Sequence, residues 1–115
     1  MKETIYKKLK ELAKKQETIC YSELASECSL PYKTVDERNA FHQLLGEIST
    51  DEVGEGRPML SVLVHHKGDP ARSPGYGWFK LADTLKQRKE NESDLQMLYR
   101  QIKKCWEVWK WASSK

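Results

Sequence analysis

The chain has 115 residues and a mass of 13.4 kDa, with 38% hydrophobic and 32% charged side chains and a formal net charge of +3. Two independent cores do not fit that length, the apolar fraction is too high for a disordered tail and the charge too high for a membrane protein, which leaves one soluble domain. The first fifteen residues alternate charged with apolar side chains, so neither a leader peptide nor a membrane span is expected, and the expected location is cytoplasmic.

Residues 3–16 predict an amphipathic helix, with Ile5, Tyr6, Leu9, Leu12 and Ala13 at helical spacing and lysines opposite. The β-branched and aromatic stretch Thr18 to Tyr21 reads as one edge strand. Ser22 is positioned to cap a second helix reaching about Cys28, with Leu24 and Ala25 inward, and Pro31 separates it from the next helix. Thr34 and Glu37 stand at capping-box spacing, predicting a third helix from Val35 to about Ile48 whose inner face is Val35, Phe41, Leu44, Leu45 and Ile48. Glu52 to Pro58 reads as a turn.

Met59 to His66 reads as a central strand, apolar on both faces. Lys67 to Gly75, with two prolines and two glycines, reads as an exposed hairpin loop, and Tyr76 to Leu81 as the returning strand. Asp83 to Glu90 is short and polar. A final helix begins at Ser93, capped with Gln96, and carries Leu95, Leu98, Ile102, Cys105, Trp109 and Ala112 in 3-4 alternation. This order predicts an α+β fold: a winged helix, meaning a helix-turn-helix plus a β-hairpin wing, over residues 1–91, with an additional C-terminal helix, residues 92–115, packed on the same core.

Several short segments carry a resemblance. Tyr21-Ser22-Glu23-Leu24-Ala25, Gly56-Arg57-Pro58, Leu60-Ser61-Val62-Leu63-Val64 and Pro74-Gly75-Tyr76-Gly77-Trp78-Phe79 resemble a family of small bacterial and phage-associated winged-helix proteins without an assigned activity. A weaker likeness is to the DNA-binding domain of alkyltransferase-like proteins. Those carry Pro-Cys-His-Arg where this chain has Pro58-Met59-Leu60-Ser61, so the resemblance implies no alkyl transfer.

Charge is unevenly spread. Residues 2–15 hold six lysines against two glutamates, residues 17–57 three basic against nine acidic groups, and residues 58–115 eleven basic against six acidic. In a DNA-bound winged helix the third helix lies in the major groove and the wing touches phosphate. Lys67, Arg72 and Lys80 on the wing are therefore the expected phosphate contacts, with Arg38, Asn39 and Gln43, next to His42, as base-reading candidates. The surrounding Asp36, Glu37, Glu47, Asp51, Glu52 and Glu55 oppose that approach. Two readings are open: a non-catalytic module that binds nucleic acid mainly through the wing and chain ends, or a protein-interaction or dimerisation module of a bacterial or phage accessory system.

Trp106, Trp109 and Trp111 cannot share one helix face. Trp106 and Trp109 are expected on the first helix, and an outward Trp111 or the 3-4 seam would serve a partner or a second copy. No catalytic motif is recognisable: there is no Gly-x-Ser-x-Gly elbow, His-Glu-x-x-His or P-loop, and His65 and His66 should point to opposite strand faces. Cys20, Cys28 and Cys105 form no Cys-x-x-Cys pair, and a zinc site would have to borrow His42, His65 or His66. Free thiols are the simpler reading, and no cofactor or metal is expected.

Overall fold

The computed structural model describes residues 1–69 and 73–110. Helix α1 (Lys2–Lys14) is followed by strand β1 (Ile19–Cys20), helices α2 (Tyr21–Glu27) and α3 (Val35–Gly54), a 3-10 turn (Leu60–Leu63), strand β2 (Val64–His65), and helices α4 (Tyr76–Thr84) and α5 (Asp94–Lys110). The two strands pair in parallel, Ile19 with Val64 and Cys20 with His65. The fold is thus α+β, strongly helical.

Both capping boxes form. Thr34 Oγ1 accepts from the Glu37 N–H and the Glu37 carboxylate accepts from the Thr34 N–H, and Ser93 and Gln96 repeat the exchange at α5. Helix α2 starts at Tyr21, with Cys20 rather than Ser22 at its cap, because β1 ends one residue earlier than expected. Helix α3 runs six residues past Ile48 because Ser49 and Glu52, polar in sequence, are buried on its inner face. Val35, in its first turn, precedes the packed stretch and is 62% exposed.

Of the two strands expected after α3, Met59–His66 is a strand only at Val64–His65 and Tyr76–Leu81 is helical. Met59, Leu60, Val62, Leu63 and Val64 are fully buried, and only Val64 belongs to a ladder. The Met59 N–H donates to Gln101 Oε1 at 2.9 Å, the Ser61 N–H to Ser49 Oγ at 3.0 Å, and the Val62 N–H turns back to the Met59 carbonyl. A run buried on every side carries no alternation, so periodicity does not separate a strand from a buried turn. Helices α1, α3 and α5 all pack against this turn, which is the centre of the core.

The segment from Tyr76 is helix α4, and this removes the expected hairpin: the two strands of the described residues are parallel, and none of those residues forms a strand after the loop. Trp78 and Ala82 are buried and Leu81 and Leu85 half-buried, the i, i+3, i+4, i+7 set of a helix face. Lys80 therefore lies on a helix, and Arg72 lies outside the described residues.

Helix α5 closes the molecule over α1. Its inward side is Met97, Leu98, Gln101, Ile102 and Cys105, while Leu95 is exposed and Ala112 and Trp111 lie outside the described residues. Trp106 and Trp109 pack on the core, with the Trp109 ring edge-on to Tyr6 of α1 at 6.2 Å. The three cysteines are free, Cys20 and Cys105 among them buried. No helix of the described residues is long and apolar enough to cross a membrane.

The approach to α5 is tied by Arg100, which donates to both Glu92 carboxylate oxygens at 2.7 and 2.8 Å and to the Gln87 carbonyl at 2.6 Å. This hydrogen bonding holds the Glu92 carboxyl down at about 2. A carboxyl lowered on folding stabilises above its unfolded pKa of about 4.3, and the contribution is lost as pH falls through the folded value. Urea melts are expected to show stability declining between about pH 4.5 and pH 2, with a shallower decline in Arg100→Gln. An unchanged slope in that variant would remove this pair as its source.

Candidate functional site

Four segments far apart in sequence meet at one cavity of about 280 Å³ between α3 and α4. Helix α3 contributes Asn39, His42, Gln43 and the bare backbone of Gly46; α4 contributes Gly77, Trp78 and Leu81; Tyr21 and Ser61 line it from α2 and the 3-10 turn. A methyl added at Gly46 would meet Leu81 Cδ2 at 3.6 Å, an ordinary van der Waals contact. The Gly75 N–H donates to the Tyr21 hydroxyl at 2.9 Å, fastening the start of α4 to the start of α2.

An aromatic and imidazole cluster builds one side. The Tyr21 ring lies 4.5 Å from His42 and 5.2 Å from His66, and the Tyr32 hydroxyl hydrogen-bonds His42 Nε2 at 2.9 Å. Burial, with the nearby His66 and Arg38, lowers the pKa of His42, favouring its neutral form. Burial pushes the Tyr21 phenol up to about 12, so it stays protonated. His65 diverges from His66, as strand geometry requires: it borders a different depression beside Cys20 and Glu23.

Two of the sequence-predicted site residues, Asn39 and Gln43, are exposed side chains at this cavity, with His42 between them. Arg38 is half-buried and spends one guanidinium nitrogen on the Lys33 carbonyl at 2.7 Å. Lys67 and Lys80 are exposed and join no ion pair among the described residues; Lys80 lies over the exposed Tyr76 ring at 5.9 Å. Lys67 follows His66, whose imidazole packs on Gly75, and Lys80 is one turn along α4 from Tyr76.

The acidic groups of α3 are largely committed within the molecule. Lys2 pairs with Asp51 at 2.7 Å and Glu47 at 3.7 Å, Arg57 holds Glu52, and Glu37 caps its own helix. Other contacts also occupy cations of α1, where Lys8 is bound to Glu27 of α2 at 2.6 Å and Lys10 lies over the Tyr6 ring. Sequence reasoning missed Tyr21, Ser61, Gly77 and Trp78 as neighbours. The signal was present in the short segments around Tyr21, Ser61 and Gly75, which converge here.

No family model, curated protein or solved structure matches the chain.

Proposed function

We propose that this chain is a non-catalytic nucleic-acid-binding module that uses the α3–α4 face, with α2 and α3 as its helix-turn-helix. The observation that carries it is that Lys67 and Lys80 are exposed and join no ion pair among the described residues, while Asn39 and Gln43 present exposed amides at the cavity that α4 lines. Phosphates supply the anions those lysines lack, and Asn and Gln side chains match base edges. Internal pairing of Lys2 with Glu47 and Asp51, and of Arg57 with Glu52, reduces the repulsion that the composition of α3 implied. Arg72, the third cation expected from the sequence, lies outside the described residues.

The test is binding of short duplex and single-stranded DNA across a salt series, with the Lys67→Gln/Lys80→Gln double variant beside the wild type. Wild-type affinity is expected to fall steeply with salt, and the double variant to bind more weakly with a log–log slope shallower by about two. Absence of binding at low salt, or an unchanged slope, overturns the reading. The competing reading, a protein-interaction or dimerisation module, draws on Leu95 and Tyr99, exposed one turn apart on α5. It predicts concentration-dependent size in the same samples, without salt-dependent DNA binding.

A further inference from the structure

Two imidazoles share one cluster on the α3–α4 face, and imidazole is the side chain whose ordinary charge change falls between about pH 5 and pH 8. His42 stands half-buried between Asn39 and Gln43 on α3, and His66 is exposed just past β2, next in the chain to Lys67. The Tyr21 ring connects them, 4.5 Å from His42 and 5.2 Å from His66, and the His66 imidazole lies against Gly75 at the start of α4.

The groups that face this pair are neutral or positive, with one exception. Helix α2 brings the Tyr21 phenol, which stays protonated, and the α2–α3 connection brings the Tyr32 hydroxyl, 2.9 Å from His42 Nε2. Helix α3 adds Arg38, one turn before His42, and the α4 residues at the cavity, Gly77, Trp78 and Leu81, carry no charge. Lys67 and Asp69 follow His66 in its own loop. Asp69, whose N–H donates to the His66 carbonyl at 3.3 Å, is the one carboxylate between His66 and Ala82. Neither histidine joins an ion pair among the described residues. Burial, His66 and Arg38 all disfavour a proton on His42.

A protonated pair therefore finds little counter-charge within the protein, and a phosphate brought to the neighbouring Lys67 supplies it. The coupling is reciprocal: an anion that favours the imidazolium forms raises the pH at which they titrate, and protons already bound raise the affinity for the anion by the same factor.

We infer that nucleic-acid binding at this face is proton-linked, with His42 and His66 taking up protons as phosphates arrive. This linkage rests on the nucleic-acid reading and adds its regulation: the module holds nucleic acid more tightly in mildly acidic than in neutral surroundings. Affinity gained from an imidazole whose titration is raised on binding is fully present below its free pKa and is lost as pH rises through its bound value.

The experiment measures binding of one short DNA at about pH 5.5 and about pH 7.5 at fixed ionic strength, an interval over which ordinary carboxylates and lysines keep their charge. Affinity is expected to rise about tenfold at the lower pH for each pKa unit by which DNA raises one imidazole, and the log–log salt slope to steepen by about one for each imidazolium set against a phosphate. The His42→Gln/His66→Gln double variant is expected to bind equally at both pH values. His65→Gln, altered at a different depression, is expected to keep the wild-type pH dependence. Proton NMR titration of the wild-type imidazoles needs no variant: His42 and His66 should titrate at higher pH with DNA than without it, and His65 should move less. Equal binding at the two pH values, or a pH dependence that survives in the double variant, overturns the linkage and leaves the nucleic-acid reading standing. Unmoved His42 and His66 titrations in the DNA-bound wild type overturn it equally, whether or not the double variant folds. Absence of binding at both pH values overturns the two together.

Discussion

Arg57→Ala is expected to destabilise the protein by about 1–3 kcal/mol, the cost of leaving a buried acceptor short of its donor, since Arg57 itself is one-third exposed. The reason is Glu52, which is 2% exposed at the inner end of α3. Its carboxylate accepts from Arg57 Nε at 2.7 Å and Nη2 at 3.0 Å, and from the Tyr6 hydroxyl at 2.7 Å. Gly56, at a φ of 78°, closes α3 and turns the chain so that Arg57 can reach back. The guanidinium also lies 5.5 Å from the centre of the Trp109 ring, joining α1, α3 and α5 at one point. Without Arg57 a carboxylate remains in the core with a single phenol donor. Arg57→Lys keeps the charge but not the two-pronged donor and should recover part of the loss. Equilibrium urea denaturation of the three proteins at neutral pH measures this directly. A loss below about 1 kcal/mol for Arg57→Ala would mean the pair behaves as a surface salt bridge.

This arrangement changes what Gly56-Arg57-Pro58 signifies. As sequence, an arginine between a glycine and a proline suggests an exposed turn with a cation on offer. In the fold the cation is committed to Glu52, an acid that had counted against nucleic-acid binding when read from composition. Formal charge along a chain cannot show which charges neutralise one another, because pairs such as Lys2 with Asp51 join residues 49 positions apart. The nearness of Asn39 and Gln43 was legible because one helical turn places them together on the exposed side of α3. That of Tyr21 and Trp78 was not, since it depends on α4 packing beside α3.

The helices were legible where a local rule was sufficient. Thr34 with Glu37 and Ser93 with Gln96 marked true starts, because a capping box is made within four residues. Helix ends were less visible. Helices α1, α2 and α4 finish on Gln16, Ser29 and Lys86 with positive φ, each in a paired 6→1 and 5→2 hydrogen-bond closure in which glycine is the usual signal. The aromatic cluster Tyr76 to Phe79 favoured a strand by propensity, yet the burial of Trp78, Leu81, Ala82 and Leu85 follows a helical period. Tertiary packing overrode a weak local preference.

The 3-10 turn at Leu60–Leu63 carries the second large expected effect. Leu60→Ala should cost about 2–5 kcal/mol, because the side chain is fully buried and α1, α3 and α5 converge on this turn, leaving its surroundings little freedom to collapse into the space. Gln101→Met tests a different property of the same point. It preserves side-chain length and apolar volume but withdraws the side-chain acceptor of the Met59 N–H, leaving a buried donor unpaired at a cost of about 1–3 kcal/mol. If residues 59–66 were a central strand, the Met59 N–H would bond a neighbouring strand and Gln101→Met would be nearly neutral. A turn held by side chains predicts losses from both substitutions. Hydrogen exchange at the Met59 and Ser61 amides reads the distinction residue by residue: Gln101→Met should accelerate exchange at Met59 more than at Ser61, whose acceptor is Ser49 on α3. Equal acceleration at both would mean that the substitution loosened the whole core, and the side-chain account of this turn would then fail.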